Sequence, residues 1–421
     1  MSAPDLEFHN LGHRELTPNQ QMATDYANAN PVPFNVDAIK EAARDATGLD
    51  DFGPDEDALT ERMQVWVDVG NEPIRTNMAR MAMFGLMTKY LSNRMRVYDF
   101  AARHPQVREI EITKPVMVIG LPRSGTSHLV NLIAADSRFR AAPIWELDSP
   151  VPPPGGGPGP DGIDPRYKAQ ERTWDMMTAG NPYMHAWHPM QPWRIEEDIE
   201  ILAQDFSGYY PEQLYQHAEQ WRDYYLAHDQ TPHYEYLKLV MQIMTHFRPK
   251  DQWVTKYPAH IENIPALLNV FPDAILIETH RDPVASVQSM ATMHTYVAQQ
   301  WQTEVDPQRH MDYWTELCAR LKHAGMRDRH LVEPEQIVDV PFAPFMSDNW
   351  TAIHTIYDKL GLELTDQARQ EIDTFIAEHQ LGEKVSRIRY DVRRDFHTTP
   401  EDIREPFAEY VAKFDIPAEV T

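Results

Sequence analysis

The sequence predicts a three-layer α/β/α fold: a central parallel sheet bearing a P-loop-like phosphate site, with a helical N-terminal region and a helical insertion. Three observations predict it. Short apolar runs of strand length, VMVIG (116–120), QWVTK (252–256), AILIET (274–279) and QIVDV (336–340), are separated or followed by helix-patterned segments, the grammar of βαβ units. The first run ends in a glycine-bearing loop that leads directly into the helix-like HLVNLIAAD. The regions on either side of that first unit carry helical spacing instead of strand runs. The expected division is a helical region 1–113 packed on the core and an α/β domain 114–421 with an insertion at about 150–250.

In the N-terminal region, Asn35 suits the cap of a helix running to about Thr47, with Gly48 at its C-terminal stop. A longer helix is expected from near Asn71, with Pro73 in its first turn and an end before Pro105. Ile74, Met78, Met81, Leu91 and Met95 fall at helical spacings along it. That methionine stripe reads as core packing. The excursion 141–250 opens with the turn-rich stretch from Pro150 to Pro158, which no helix or strand interior accommodates. A segment dense in Trp, Tyr and His follows and is read as helical cover for the catalytic edge of the sheet, the Pro/Gly stretch serving as a lid.

There are 39 Lys and Arg against 64 Asp and Glu, a formal charge of −25. So acidic a surface disfavours nucleic acid and anionic membranes as partners. Any anionic ligand must then be met by a few clustered cations. The single cysteine, Cys318, has no disulfide partner and sits in a helix-like stretch, where it reads as a small buried residue. No run approaches the ~18 apolar residues of a membrane span, and no signal peptide is read at the start of the chain. A soluble cytoplasmic protein is the expectation.

The strongest local signal is Gly120-Leu121-Pro122-Arg123-Ser124-Gly125-Thr126-Ser127. Its glycines have the spacing of a Walker A loop, whose inward N–H groups and following helix N-terminus hold a phosphate. The Walker lysine position is Thr126, however, and the cation has moved inside the loop to Arg123. A P-loop kinase acting on a small molecule, the alternative reading, needs that lysine and a metal-binding carboxylate, for which Glu278 is the best candidate. A loop with an earlier cation and two hydroxyls, Thr126 and Ser127, suits a phosphate bearing a sulfate, stabilised without a metal. The histidines His185 and His188, followed by Glu196, Glu197 and Asp198, lack the spacing of a zinc helix. His188 is read instead, with Trp187, Trp193 and nearby Tyr residues, as lining for an acceptor pocket.

After AILIET comes His280-Arg281-Asp282-Pro283, with Pro283 in the first turn of a helix and Ser289 two turns further on. Arg281 thus stands at a strand's C-terminal edge, where α/β sheets bind ligands. Together, PRSGTS after one strand and R-D-x-x-x-S-x-x-S after a later one resemble the sulfotransferases that use 3′-phosphoadenosine-5′-phosphosulfate (PAPS), in particular a bacterial branch. Around these motifs the chain is also similar to the tyrosylprotein sulfotransferases. The resemblance spans about residues 114–150 and 250–345.

It implies transfer of a sulfuryl group from PAPS to a hydroxyl of a small-molecule, lipid or glycan acceptor by in-line displacement, with no metal. The loop residues Arg123, Ser124, Gly125, Thr126 and Ser127 would hold the 5′-phosphosulfate. Arg281 and Ser289 would hold the 3′-phosphate, under a C-terminal basic segment containing Arg387, Arg389 and Tyr390. Lys256 would contact the transferring group beside Arg123. Two candidates stand for the base: Glu146, by comparison with the tyrosylprotein branch, and His260, by comparison with the cytosolic steroid and aryl enzymes.

Overall fold

The computed structural model of the chain describes residues 5–13, 15–153, 157–159, 161–215, 217–378 and 387–421. Pro154, Gly155 and Gly156 of the Pro/Gly stretch, read above as a lid, lie outside the described residues. Five strands form the central sheet: β1 (Val116–Gly120), β2 (Phe139–Arg140), β3 (Gln252–Lys256), β4 (Ile275–His280) and β5 (Ile337–Pro341). Their order is β2-β3-β1-β4-β5, and every pairing is parallel. Four of the five are the apolar runs of the sequence, displaced by at most one residue. The fifth, β2, is two residues long and carries no readable pattern.

Burial on both faces explains why the runs are continuous rather than alternating. All of β1 and β4 is buried. The pleat divides β1 between two cores. Val116 and Val118 pack with Leu129, Ile133 and Ile353 on one side, and Met117 and Ile119 lie in the cluster of Leu237, Trp314 and Leu317 on the other. Only β5 at the sheet's edge alternates, with Val338 and Val340 buried and Asp339 and Pro341 exposed, as an edge strand ending in proline should.

The helix Val36–Thr47 has its Asn35 cap and left-handed Gly48 as expected. The next boundary differs from the reading above. Asn71 ends a helix, Glu56–Asn71, and the long helix is Asn77–Arg103, capped by Thr76. Ile74 and Pro73 lie in the connector between the two, where the Thr76 hydroxyl accepts from the Ala79 N–H. The buried stripe is therefore Met83, Met87, Leu91 and Met95. It packs with Trp66 and with Phe206, Tyr215 and Trp221 of the insertion. Between β2 and β3 the regular elements are helical, from Ile144–Leu147 to Thr231–Phe247. Among the described residues no helix is long and apolar enough to cross a membrane.

From β1 the chain turns to β2 and β3 on one side, then crosses to β4 and β5 on the other. That reversal opens a crevice at the C-terminal ends of β3, β1 and β4, the positions of Lys256, Gly120 and His280.

Candidate active site

At the end of β1 the chain must turn sharply beside β4. Gly120 adopts φ 138°, and a Cβ there would lie 2.4 Å from Thr279 Oγ1, so only glycine fits. Arg123 is left-handed at φ 65°, a conformation an L-residue holds at a cost. Gly125 caps the helix Thr126–Ala134 without any side-chain partner for its first N–H groups. Those uncapped donors, with the helix dipole, make an anion cradle. Ser124 turns inward instead, its Oγ 2.5 Å from the Leu121 carbonyl oxygen and 2.6 Å from Thr279 Oγ1. Its side chain and its N–H, which donates to the Leu121 carbonyl (3.3 Å), brace the loop.

Lys256, at the end of β3, is fully buried. Its Nζ donates to Ser127 Oγ at 2.9 Å and to Glu197 Oε1 at 2.8 Å, with Glu196 Oε2 at 4.0 Å. The Asp198 N–H donates to the Lys256 carbonyl (2.9 Å), stitching the acidic run 196–198 onto the strand end. On the other side, one Arg281 NH donates to the Arg123 carbonyl (2.6 Å), Arg123 Nε donates to Ser289 Oγ (3.2 Å), and Ser289 Oγ stands 3.0 Å from the Tyr390 hydroxyl. Arg123 also donates to the Trp187 carbonyl at 2.6 Å. Arg281 stacks 3.9 Å over Phe342 and is held bidentately by Glu419. The structure thus brings Arg123, Thr126, Ser127, Lys256, Arg281, Ser289 and Tyr390 to one sheet edge.

Four of the expected residues, Glu146, His260, Arg387 and Arg389, do not join them. Glu146 is buried between Arg140 (2.8 Å) and Arg248 (2.9 Å), facing a different cavity, beside Trp145 and Phe247. Both its oxygens are spent on guanidinium groups. His260 is completely buried, its Nδ1 2.7 Å from the Tyr234 hydroxyl and its Nε2 3.0 Å from Asp198 Oδ2. It pins the turn after β3 and offers no free nitrogen. Arg389 is exposed and pairs with Asp5 (2.6 Å), where Ile388–Arg389 pairs with Leu6–Glu7. Arg387 is exposed as well, which leaves Tyr390 as the member of that segment turned toward Ser289. Glu278, the candidate for a metal carboxylate, is neutralised by Lys322 (2.8 Å) and Arg329 (2.7 Å). Its neighbours His280 and Asp339 are held in the same ion-pair network.

A cavity opens from Arg123, Thr126, Ser127 and Glu197 into the insertion. Its lining also includes His188, Glu196 and Glu200, and the methionines Met177, Met184, Met190, Met290 and Met293. Trp187 packs away from it against Phe8 (4.8 Å), and Trp193 is exposed, so of the expected lining His188 takes that place, together with the nearby Tyr209 and Tyr210. Burial would push the Glu196 carboxyl up, but His188, Lys256 and Arg194 hold it down at about 2. The acidic run 196–198 gains its meaning only from Lys256, distant in the chain.

The model of the "Sulfotransferase family" matches residues 115–366. The solved structure of sulfotransferase STF9 from Mycobacterium avium superposes with a TM-score of 0.82 at 25% identity, covering 92% of this chain and 98% of that one. Sulfotransferase STF1 from Mycobacterium tuberculosis gives 0.78 at 25% identity, over 89% and 98%. Among curated proteins, the omega-hydroxy-beta-dihydromenaquinone-9 sulfotransferase Stf3 of Mycobacterium bovis is 22% identical over 288 residues, 63% of this chain and 67% of the relative.

Proposed function

The chain belongs to the sulfotransferase family, and from that premise we propose that it transfers the sulfuryl group of PAPS to the hydroxyl of an acceptor with a largely apolar body. One observation carries the reading: Lys256 Nζ lies 2.9 Å from Ser127 Oγ of the phosphate loop, at the mouth of a methionine-lined cavity. The uncapped N–H groups after Gly125 bind the 5′-phosphate. Lys256, Arg123 and Ser127 stabilise charge that gathers on the sulfuryl and bridging oxygens during displacement. Arg281, Ser289 and Tyr390 bind the 3′-phosphate, which replaces the Glu419 carboxylate on Arg281.

Five methionines offer polarizable, adaptable contact to an extended apolar chain. The relative named for an ω-hydroxylated menaquinone supports a lipid acceptor of that chemistry. Calorimetry with adenosine 3′,5′-bisphosphate in metal-free buffer tests the donor site. Tight binding is expected, weakened by about 30-fold or more in Arg281→Ala, the scale of a lost charged hydrogen-bond pair. No binding, or binding of ATP alone and only with Mg²⁺, would overturn the assignment.

A further inference from the structure

We propose that His188 is the catalytic base of the transfer and that Glu196 is the residue that positions it. The proposal rests on the sulfotransfer reading above. His188 lines the same cavity as Arg123, Thr126 and Ser127 of the phosphate loop, its side chain 28% exposed. Its Nε2 is 3.4 Å from Glu196 Oε2, and that same oxygen is 4.0 Å from Lys256 Nζ. Imidazole and ammonium therefore stand on one buried carboxylate, a proton acceptor within a carboxylate's reach of the cation that meets the sulfuryl group. The main chain at His188 is fixed by its N–H, which donates to the Met184 carbonyl (2.7 Å), and by the neighbouring Trp187 carbonyl, which accepts from Arg123.

The anionic Glu196 sets the tautomer. It accepts from Nε2–H, which keeps the proton there and leaves the Nδ1 lone pair for an acceptor hydroxyl, the arrangement in which a base is oriented by a third group. The other titratable and charged groups around this pair are Glu197, Glu200, His294, Lys256, Arg123 and Arg194. None of them serves as well. Glu197 spends an oxygen on Lys256. Glu200 accepts from the Tyr90 and Tyr210 hydroxyls (3.0 and 3.2 Å). His294 is stacked on Trp314 at 4.5 Å and pushed down to about 3 by burial. Glu196 itself, buried among cations, stays ionised through the neutral range.

In the step, the acceptor oxygen attacks sulfur and an O–S bond forms. The bond between sulfur and the bridging oxygen of the 5′-phosphate breaks, and its electron pair leaves on adenosine 3′,5′-bisphosphate. The hydroxyl proton passes to His188 Nδ1. The imidazolium is stabilised by Glu196 until the proton is released to solvent.

The test uses the full chain with PAPS and farnesol, an apolar primary alcohol, with initial rates followed from about pH 5 to pH 9. His188→Ala should lose about 10²–10⁴-fold in kcat while its affinity for adenosine 3′,5′-bisphosphate stays at the wild-type value. The acid limb of its rate profile should vanish. In Glu196→Gln the acid limb should move to lower pH, because the imidazolium has lost its anionic partner, with KM for PAPS little changed. Should His188→Ala lose nucleotide binding as well, His188→Gln decides, since it keeps the hydrogen bond but cannot accept the proton. Turnover within about threefold of wild type in His188→Gln, or an acid limb that persists there and disappears only in Glu197→Gln, overturns the proposal. A wild-type protein that does not bind the bisphosphate overturns the sulfotransfer reading first, and that result is distinct from a harmless His188 substitution.

Discussion

The two walls of the cavity are built differently. The sheet-edge wall takes Arg123, Thr126 and Ser127 from the loop and helix start after β1, with Lys256 of β3 behind Ser127, and the register Val118↔Lys256 and Gly120↔Thr279 fixes the strand ends that carry them. The insertion wall takes His188, Glu196, Glu200, Met177, Met184 and Met190 from helices and the turns between them, and the helix Pro283–Trp301 after β4 adds Met290 and Met293. The first wall is a rigid frame for a ligand of fixed shape. The second is soft, and methionine can refill it around chains of differing outline. In the function proposed above, the donor takes the sheet edge and the acceptor the insertion. Lys256, which touches both Ser127 and Glu197, is then the joint between them.

The sharpest way to break that comparison is at the joint. Lys256→Ala should lower kcat by about 10³-fold, the scale for removing one preorganised electrostatic group. Binding of adenosine 3′,5′-bisphosphate, which has no sulfuryl group to meet Lys256, should weaken by less than about tenfold. Single-turnover rates and calorimetry on the same preparation separate the two effects. Equal losses in both would make Lys256 part of the nucleotide frame alone, and the two walls would no longer meet at it.

The same contrast decides what the sequence could tell. The sheet edge was legible because its signals are local. Strand, glycine turn and helix start lie within a dozen residues at Val116–Ser127, and Arg281 and Ser289 follow β4 directly. Asn35 and Gly48 mark their helix for the same reason. The insertion wall was not legible, because its meaning is long-range. Glu196 and Glu197 are a bland acidic pair until β3 places Lys256 beside them, and Glu419 reaches Arg281 from 138 positions away. The boundary error near Asn71 has a local cause. Pro73 suits a first helical turn, but Thr76 supplies the hydroxyl that caps Asn77–Arg103. Strand β2, at two residues, is too short for any pattern to show. Glu146 and His260 came from resemblance alone, and of their actual partners only Arg140 is near in the chain, whereas Arg248, Tyr234 and Asp198 lie 102, 26 and 62 positions away.

Glu146 gives a second test, because it separates a residue near the site in sequence from one that works in it. Glu146→Gln removes the anion facing Arg140, a guanidinium that burial pushes down to about 10. An unpaired buried charge of this kind costs about 3 kcal/mol. The urea midpoint should fall accordingly, with kcat within about twofold of wild type. A protein of unchanged stability with kcat down a hundredfold or more would make Glu146 the base, and the insertion wall would lose its chemical role.

The smallest effect expected concerns how the soft wall is backed. His217, His294 and His310 are buried, His217 and His310 with ring centroids 4.8 Å apart and His294 stacked on Trp314. Burial holds His217 and His294 near 3 and His310 well below its ordinary value. The folded protein thus leaves these imidazoles unprotonated where the unfolded chain binds protons, below about pH 6.5. Stability therefore rises with pH in that window. The contribution is full above about pH 6.5 and is lost as pH falls toward 3, at about 1.4 kcal/mol per pH unit for each imidazole. Urea unfolding across this range should show the slope, and His310→Gln should flatten it by about one imidazole's share. An unaltered slope would mean that His310 takes a proton in the folded state. The packing behind the acceptor wall would then have to admit a charge, and that wall would be no softer in acid than the sheet edge it faces.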